Sequence, residues 1–178
     1  NLPYAILNFP KPKLIFTTPS HQQPLGITMS LTRRLALLKY ASKNASWVIE
    51  DDYDSEFRYR GRPLPALAAL DKVGRVLYVG TFSKSLFPSV RIGYVVLPEM
   101  LMDAFAKTRN ILGQTSSAIT EEALSNFMDD GAFAEHIRKM RRLYRDRRDI
   151  LIKALRDYCC NILVPQQTDA GMHIIADL

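Results

Sequence analysis

RVLYVGTFSKSLFPSVRIGYVVLP, residues 75–98, opens and closes with short valine-rich apolar runs, Arg75–Gly80 and Ile92–Leu97. Between them lie Gly80-Thr81-Phe82-Ser83-Lys84, then Arg91 and Gly93. Runs of this length, bounded by turn or polar residues, read as buried strands. A lysine at a strand end, flanked by hydroxyls and one loop away from an arginine, suits phosphate binding or nucleophilic amine chemistry. The plainer alternative is an exposed Lys and Arg in a polar loop. The GxxxxGK[ST] arrangement of a nucleotide P-loop is absent.

Working upstream, Trp47–Ile49 is a third apolar run, ending abruptly in Glu50-Asp51-Asp52-Tyr53-Asp54. In open α/β sheets ligands sit beyond the carboxyl ends of the strands, so this acidic cluster falls where a site belongs. If the extended backbone continues, alternation puts Asp51 and Tyr53 on one side and Glu50 and Asp52 on the other. An acid and a phenol on one face can hold a ligand; a solvated acidic turn is the competing reading. Leu14–Thr18 reads as a further strand stopped by Pro19, and Pro19–Gly26 as a turn-rich segment. A helix over Leu31–Ser42 follows, with Leu31, Leu35, Leu38 and Ala41 at helical spacing. Strands interleaved with helices predict an α/β sheet.

Downstream of Pro98 the pattern turns helical, over about residues 98–109, 116–129 and 131–157, with Asp129-Asp130-Gly131 as a break. Ile137, Met140, Tyr144, Leu151, Ala154 and Leu155 give the last helix an apolar stripe beneath a basic face. Asn161–Val164 and Met172–Ala176 read as strands of a further small layer. The net charge of +6 resides in that basic face: Arg138, Lys139, Arg141, Arg142, Arg145, Arg147 and Arg148 stand against Asp146 alone. Such a face is read as solvated on a core-packed helix, with DNA phosphate contact as the minority alternative.

With 178 residues, 47% hydrophobic and 24% charged, the chain has globular composition and enough apolar material for a core. No apolar run approaches the roughly 20 residues of a membrane span. No leader pattern opens the chain, and with Asn1 first it reads as a piece of something longer. Cys159 and Cys160 are adjacent, a poor geometry for a disulfide, which fits a reducing cytoplasm. His21, His136 and His173 lie far apart without paired spacing, so no metal site is read.

TPSHQQPLG at 18–26, VIEDDYDSEFRYRGRPLPAL at 48–67 and LYVGTFSKSLFPSVRIGYVVLP at 77–98 resemble, in order and spacing, the large domain of fold-type I pyridoxal-5′-phosphate (PLP) aminotransferases. More narrowly, EDDYDSEFRY with GRPLP, GTFSKSLFPSVRIGY and the basic helix HIRKMRRLYRDRRDIL at 136–151 resemble the MocR-type branch of GntR-family transcription regulators. There an aminotransferase-like domain follows a winged-helix DNA-binding domain. The resemblance implies a three-layer α/β/α sandwich with a mostly parallel sheet. It implies a PLP-binding large domain over residues 1–156, the beginning of a small C-terminal domain over 157–178, and a winged-helix domain that this sequence does not contain.

Carried over position by position, the resemblance makes Lys84 the catalytic amine that forms the internal aldimine with PLP. Asp51 then pairs with the pyridinium nitrogen and Tyr53 with the ring 3′-oxygen, while Thr81, Ser83 and Arg91 contact the phosphate. Many enzymes of this fold carry N-P-x-G where this chain has Gln23-Pro24-Leu25-Gly26, so Gln23 is left outside the implied set. His21 caps the turn or touches the ligand. The family's Gly-rich phosphate loop and ring-stacking aromatic precede this stretch, and its substrate-carboxylate arginine follows it. The implied function is a PLP-binding effector domain of a cytoplasmic, homodimeric regulator that senses a small amino compound. The alternative is a free-standing aminotransferase acting on an amino acid.

Overall fold

Val48, Leu67 and Val76 meet Leu37 and Ala41 in a cluster almost closed to solvent, and this contact explains how the first half of the chain is wound. The computed structural model describes residues 11–113, 116–159, 162–166 and 168–178. Strands β1 (Leu14–Thr17), β2 (Trp47–Asp52), β3 (Val76–Thr81) and β4 (Gly93–Val96) form one sheet in that order. β1, β2 and β3 are parallel and β4 runs antiparallel to β3. Parallel neighbours need crossover connections. Helix α1 (Leu31–Asn44) supplies the first and the short α2 (Leu67–Leu70) lies in the second, both against the face carrying Val48 and Val76.

Local chemistry fixes the ends of α1. The Ser30 side chain accepts from Arg33 N–H at the start, and Ala45 takes a left-handed conformation at φ 53° at the end, after Lys43 in the last turn. Leu37 and Ala41, one helical turn apart, then face the sheet. Burying a leucine of this kind contributes roughly 1.5–3 kcal/mol.

β2 is longer than its apolar run. It continues through Glu50, Asp51 and Asp52, because the ladder to β3 persists as Glu50↔Tyr78, Asp51↔Val79 and Asp52↔Gly80. The acidic cluster therefore begins inside the strand, not after it. Buried carboxylates are tolerated there because each finds donors. Glu50, fully buried, accepts the N–H groups of Leu67 at 2.8 Å and Ala68 at 2.9 Å, and lies 3.8 Å from Arg34 Nη1. Arg34 in turn donates to the carbonyls of Met29, Pro65 and Pro19. Asp52 accepts from the Tyr78 hydroxyl at 2.7 Å.

β3 runs directly into a four-residue turn of helix, α3 (Phe82–Ser85), which residue spacing did not reveal. After β4, a 3₁₀ turn at Glu99–Leu101 leads into α4 (Met102–Ile111), so the helix begins later than the Pro98 signal predicts. Helices α5 (Ala118–Asp129) and α6 (Ala132–Cys159) follow, α6 running 28 residues. Ile137 is buried, Tyr144 meets Phe57 edge-on at 5.2 Å, and Phe133 meets Phe82 at 5.8 Å. Leu151 departs from the expected stripe and is exposed. The basic face is largely exposed, but Arg141 donates to the Glu56 carbonyl and Arg148 lies over the Tyr59 ring while donating to the Thr168 carbonyl.

The two C-terminal strands expected are each reduced to two residues, β5 (Val164–Pro165) paired antiparallel with β6 (Ala176–Asp177). Met172–Ile175 is irregular, held instead by Gly171 N–H to the Phe57 carbonyl and by a bridge between Arg58 and Ala170. Asn161 and Cys160 lie outside the described residues. Among the described residues no helix is long and apolar enough to cross a membrane.

Candidate functional site

A cavity of about 850 Å³ opens at the carboxyl ends of β1 and β2. Its lining includes Asp51, Tyr53 and Lys84, together with Thr17 and Thr18, Gln22 and Gln23, and Met172 and His173. This is where an open α/β sheet places its ligand. Three separate segments bring the sequence-predicted residues together. Alternation along β2 turns Asp51 to the cavity while its neighbours Glu50 and Asp52 are buried on the other side. Lys84 comes from α3, set at the end of β3 by the Thr81 side chain, which accepts from Ser83 N–H at 3.1 Å.

Each polar group has a distinct state. The Asp51 carboxylate accepts no hydrogen bond among the described residues; burial, and secondarily the Asp52 charge, push it above its ordinary range. Lys84 is exposed to the cavity and has no ion-pair partner among the described residues. The Tyr53 phenol is pushed up to about 12 by burial and by the charges of Asp54, Asp51 and Asp52. It is therefore a neutral donor at physiological pH, and its hydroxyl donates to the His21 carbonyl at 2.8 Å, with Gln23 Oε1 at 3.3 Å.

The remaining predicted residues are arranged less tightly. The register Asp51↔Val79 puts Thr81, two residues on, on the same sheet face as Asp51, and Ser83 is adjacent to Lys84. Neither Thr81 nor Ser83 lines the cavity. Arg91, exposed and left-handed at φ 50°, lines a neighbouring groove between β4 and α4 instead. Sequence reading also missed Met172 and His173 as cavity residues. His173 stacks on His21 with ring centroids 4.3 Å apart, a contact between distant segments that no local spacing signals.

The whole arrangement matches known proteins. The family profile for aminotransferases of class I and II matches residues 2–177, and the chain belongs to that family. It is 47% identical over 167 residues to the probable rhizopine catabolism regulatory protein MocR of Rhizobium meliloti, covering 94% of this chain and 34% of that protein. It is 32% identical over 168 residues to aromatic-amino-acid aminotransferase 1 of Thermococcus litoralis, covering 94% of this chain and 40% of that one. Among solved structures, kynurenine aminotransferase of Pyrococcus horikoshii, in complex with PMP, superposes with a TM-score of 0.85 at 34% identity, over 93% of this chain and 41% of that one. The chain thus has the fold-type I PLP-transferase architecture and spans about a third of the regulator's length.

The cofactor that this family and these relatives support is pyridoxal 5′-phosphate. The residues present fit it. Among the described residues, a carboxylate without a protein partner, a neutral phenol and an ammonium without an ion-pair partner border one cavity, the acceptor, donor and nucleophile that a protonated ring nitrogen, a ring oxygen and an aldehyde require.

Proposed function

We propose that this chain is the PLP-binding effector domain of a bacterial MocR-type transcription regulator, with Lys84 as the residue that carries the cofactor. The observation that carries this reading is the meeting of Asp51, Tyr53 and Lys84 in one cavity. The greater identity to MocR, 47% against 32% for the aminotransferase, favours regulator over enzyme. PLP supplies an aldehyde that captures amines and a ring that withdraws electrons when its nitrogen is protonated.

The chain's own residues do the rest. Lys84 offers its Nζ as nucleophile. Asp51 holds a proton at the ring nitrogen, a role suited to a carboxylate that lacks any other partner. Tyr53 donates to the ring oxygen by turning its hydroxyl from the His21 carbonyl. Thr81 and Ser83 offer hydroxyls to the phosphate, and Arg91 a guanidinium, reaching it from the adjoining groove. Residues 1–156 form part of the large domain and 157–178 begin the smaller one. In the intact, cytoplasmic, homodimeric protein a winged-helix domain contacts DNA, and a small amino compound in the cavity biases that contact.

The test is to add PLP to the intact protein, reduce with borohydride and locate the modified peptide by mass spectrometry. Modification at Lys84 is expected, and modification elsewhere or nowhere overturns the assignment. The second reading, a working aminotransferase, is favoured by the TM-score of 0.85 to a kynurenine aminotransferase. Sustained conversion of an amino donor and a keto acid by the purified protein selects it over the regulator.

A further inference from the structure

Asp54 lines the cavity and His21 packs against it, each 1% exposed, and neither has a task in the proposed function. His21 Nδ1–H donates to Asp54 Oδ2 at 2.9 Å, and the same oxygen accepts the Met172 N–H at 3.3 Å. One carboxylate therefore ties together segments that lie 33 and 118 residues from it along the chain. Each tied segment supplies part of the cavity lining: Gln22 and Gln23 follow His21, and His173 follows Met172.

The packing around the pair is close. Gly171, at φ +87°, brings its backbone so near the imidazole that a Cβ there would lie 1.8 Å from His21 Cε1. The His173 ring lies tilted at 34° to the His21 ring with centroids 4.3 Å apart, and potential ligand atoms of His21, Asp54 and His173 all lie within 4.8 Å of one another. His173 Nε2 is already occupied as donor to the Pro24 carbonyl at 3.2 Å. The outer atoms of the pair, His21 Nε2 and Asp54 Oδ1, are buried without hydrogen-bond partners among the described residues. Retaining such atoms is costly, and a hydrophobic pair would avoid the cost while losing the directional bonds. The Tyr53 hydroxyl also donates to the carbonyl of His21, so the tie reaches a cavity residue directly.

We propose that Asp54 is a positioning residue: through His21 and the Met172 amide it sets the spacing across the cavity between the Gln22–Gln23 wall and the Met172–His173 wall. The substrate-side consequence, a fixed fit for a small amine, rests on the cofactor reading; the positioning itself does not.

The experiment compares Asp54→Asn, His21→Asn and His21→Leu with wild type in the intact protein. The first readout is amide hydrogen exchange at Met172 without cofactor. The second is the amine concentration needed to change the absorption of bound PLP, taken beside the extent of Lys84 labelling. Loss of a charge-assisted hydrogen bond predicts about tenfold faster exchange at Met172 in Asp54→Asn and His21→Leu. His21→Asn, which keeps a donor near the Nδ1 position, restores slow exchange. Lys84 labelling persists in all three while the amine requirement rises in the two faulty variants. Unchanged exchange in Asp54→Asn, or His21→Asn behaving as badly as His21→Leu, overturns the proposal. If Asp54→Asn fails to fold, the two His21 variants still decide it. Absence of Lys84 labelling in wild type defeats the cofactor reading alone, and the exchange comparison stands independently.

Discussion

The Tyr78 hydroxyl donates to Asp52 Oδ2 at 2.7 Å across the β2–β3 ladder, on the side of the sheet opposite Asp51. Burial, the hydrogen bond and the carboxylate charge all hold the phenol far above its ordinary value, so it stays a donor at any working pH. Tyr78→Phe leaves a buried carboxylate short of a donor and is expected to lower stability by about 1–3 kcal/mol. Urea unfolding measures this. Lys84 labelling by PLP and borohydride should be unchanged, because Tyr78 does not line the cavity.

Lys84→Ala should abolish covalent labelling by PLP. Lys84 is exposed and forms no ion pair among the described residues, so the melting temperature should stay within experimental error. A labelled peptide elsewhere in the variant would count against Lys84 as the anchor.

Asp51 has its carboxyl raised in the folded protein, first by burial and then by Asp52. The folded chain thus binds this proton more tightly than the unfolded chain. Between the ordinary and the raised value, stability falls as pH rises, and the penalty is fully present above the raised value. Asp51→Asn should flatten this part of the stability–pH curve of the cofactor-free protein and leave it no less stable at neutral pH. The same change should weaken PLP binding by about tenfold, through loss of a charge-assisted hydrogen bond. Fluorescence titration with PLP and urea melts across pH test the two effects separately.

Arg34→Ala should be among the most damaging single changes, by about 3–5 kcal/mol, because it leaves Glu50 buried without its charge partner. Glu50→Gln should be milder than Glu50→Ala. The amide oxygen can still accept one of the two N–H groups that start α2. Denaturant midpoints of the three variants give the order.

Gly171→Ala combines a left-handed backbone with a Cβ that would collide with the His21 ring. A loss of several kcal/mol, about 3 or more, is expected. Thermal unfolding of the variant checks it, and a melting temperature near wild type would show that the Gly171 approach is not required.

The sheet and the split of the acidic cluster were legible because both follow from short-range rules. Valine-rich runs mark β3 and β4, and period-two alternation separates Asp51 and Tyr53 from Glu50 and Asp52. The extension of β2 through Asp52 entered the sequence reading only as a condition, since it depends on Arg34 and on the Leu67 and Ala68 amides supplying the buried Glu50 from elsewhere in the chain. The four-residue α2 and α3 are too short to show periodicity. The contribution of Met172 and His173 to the cavity was hidden for a third reason: it exists only when residues more than a hundred positions apart meet at Asp54.

The 28-residue helix α6 is bonded through His136, Arg141 and Arg148, and the outer two of these attachments span much of its length. His136 Nε2 donates to the carbonyl of Ser85, the residue after Lys84, at 3.0 Å, and Arg148 Nη1 donates to the carbonyl of Thr168 at 3.0 Å. About 18 Å of α-helix separates those two attachments, at 1.5 Å per residue. Mechanically this is a strut: Ser85 and Thr168 keep their separation unless the helix bends or one bond opens. The turn that carries Lys84 and the segment leading to the Met172–His173 wall thus share one stiff member, none of whose residues line the cavity.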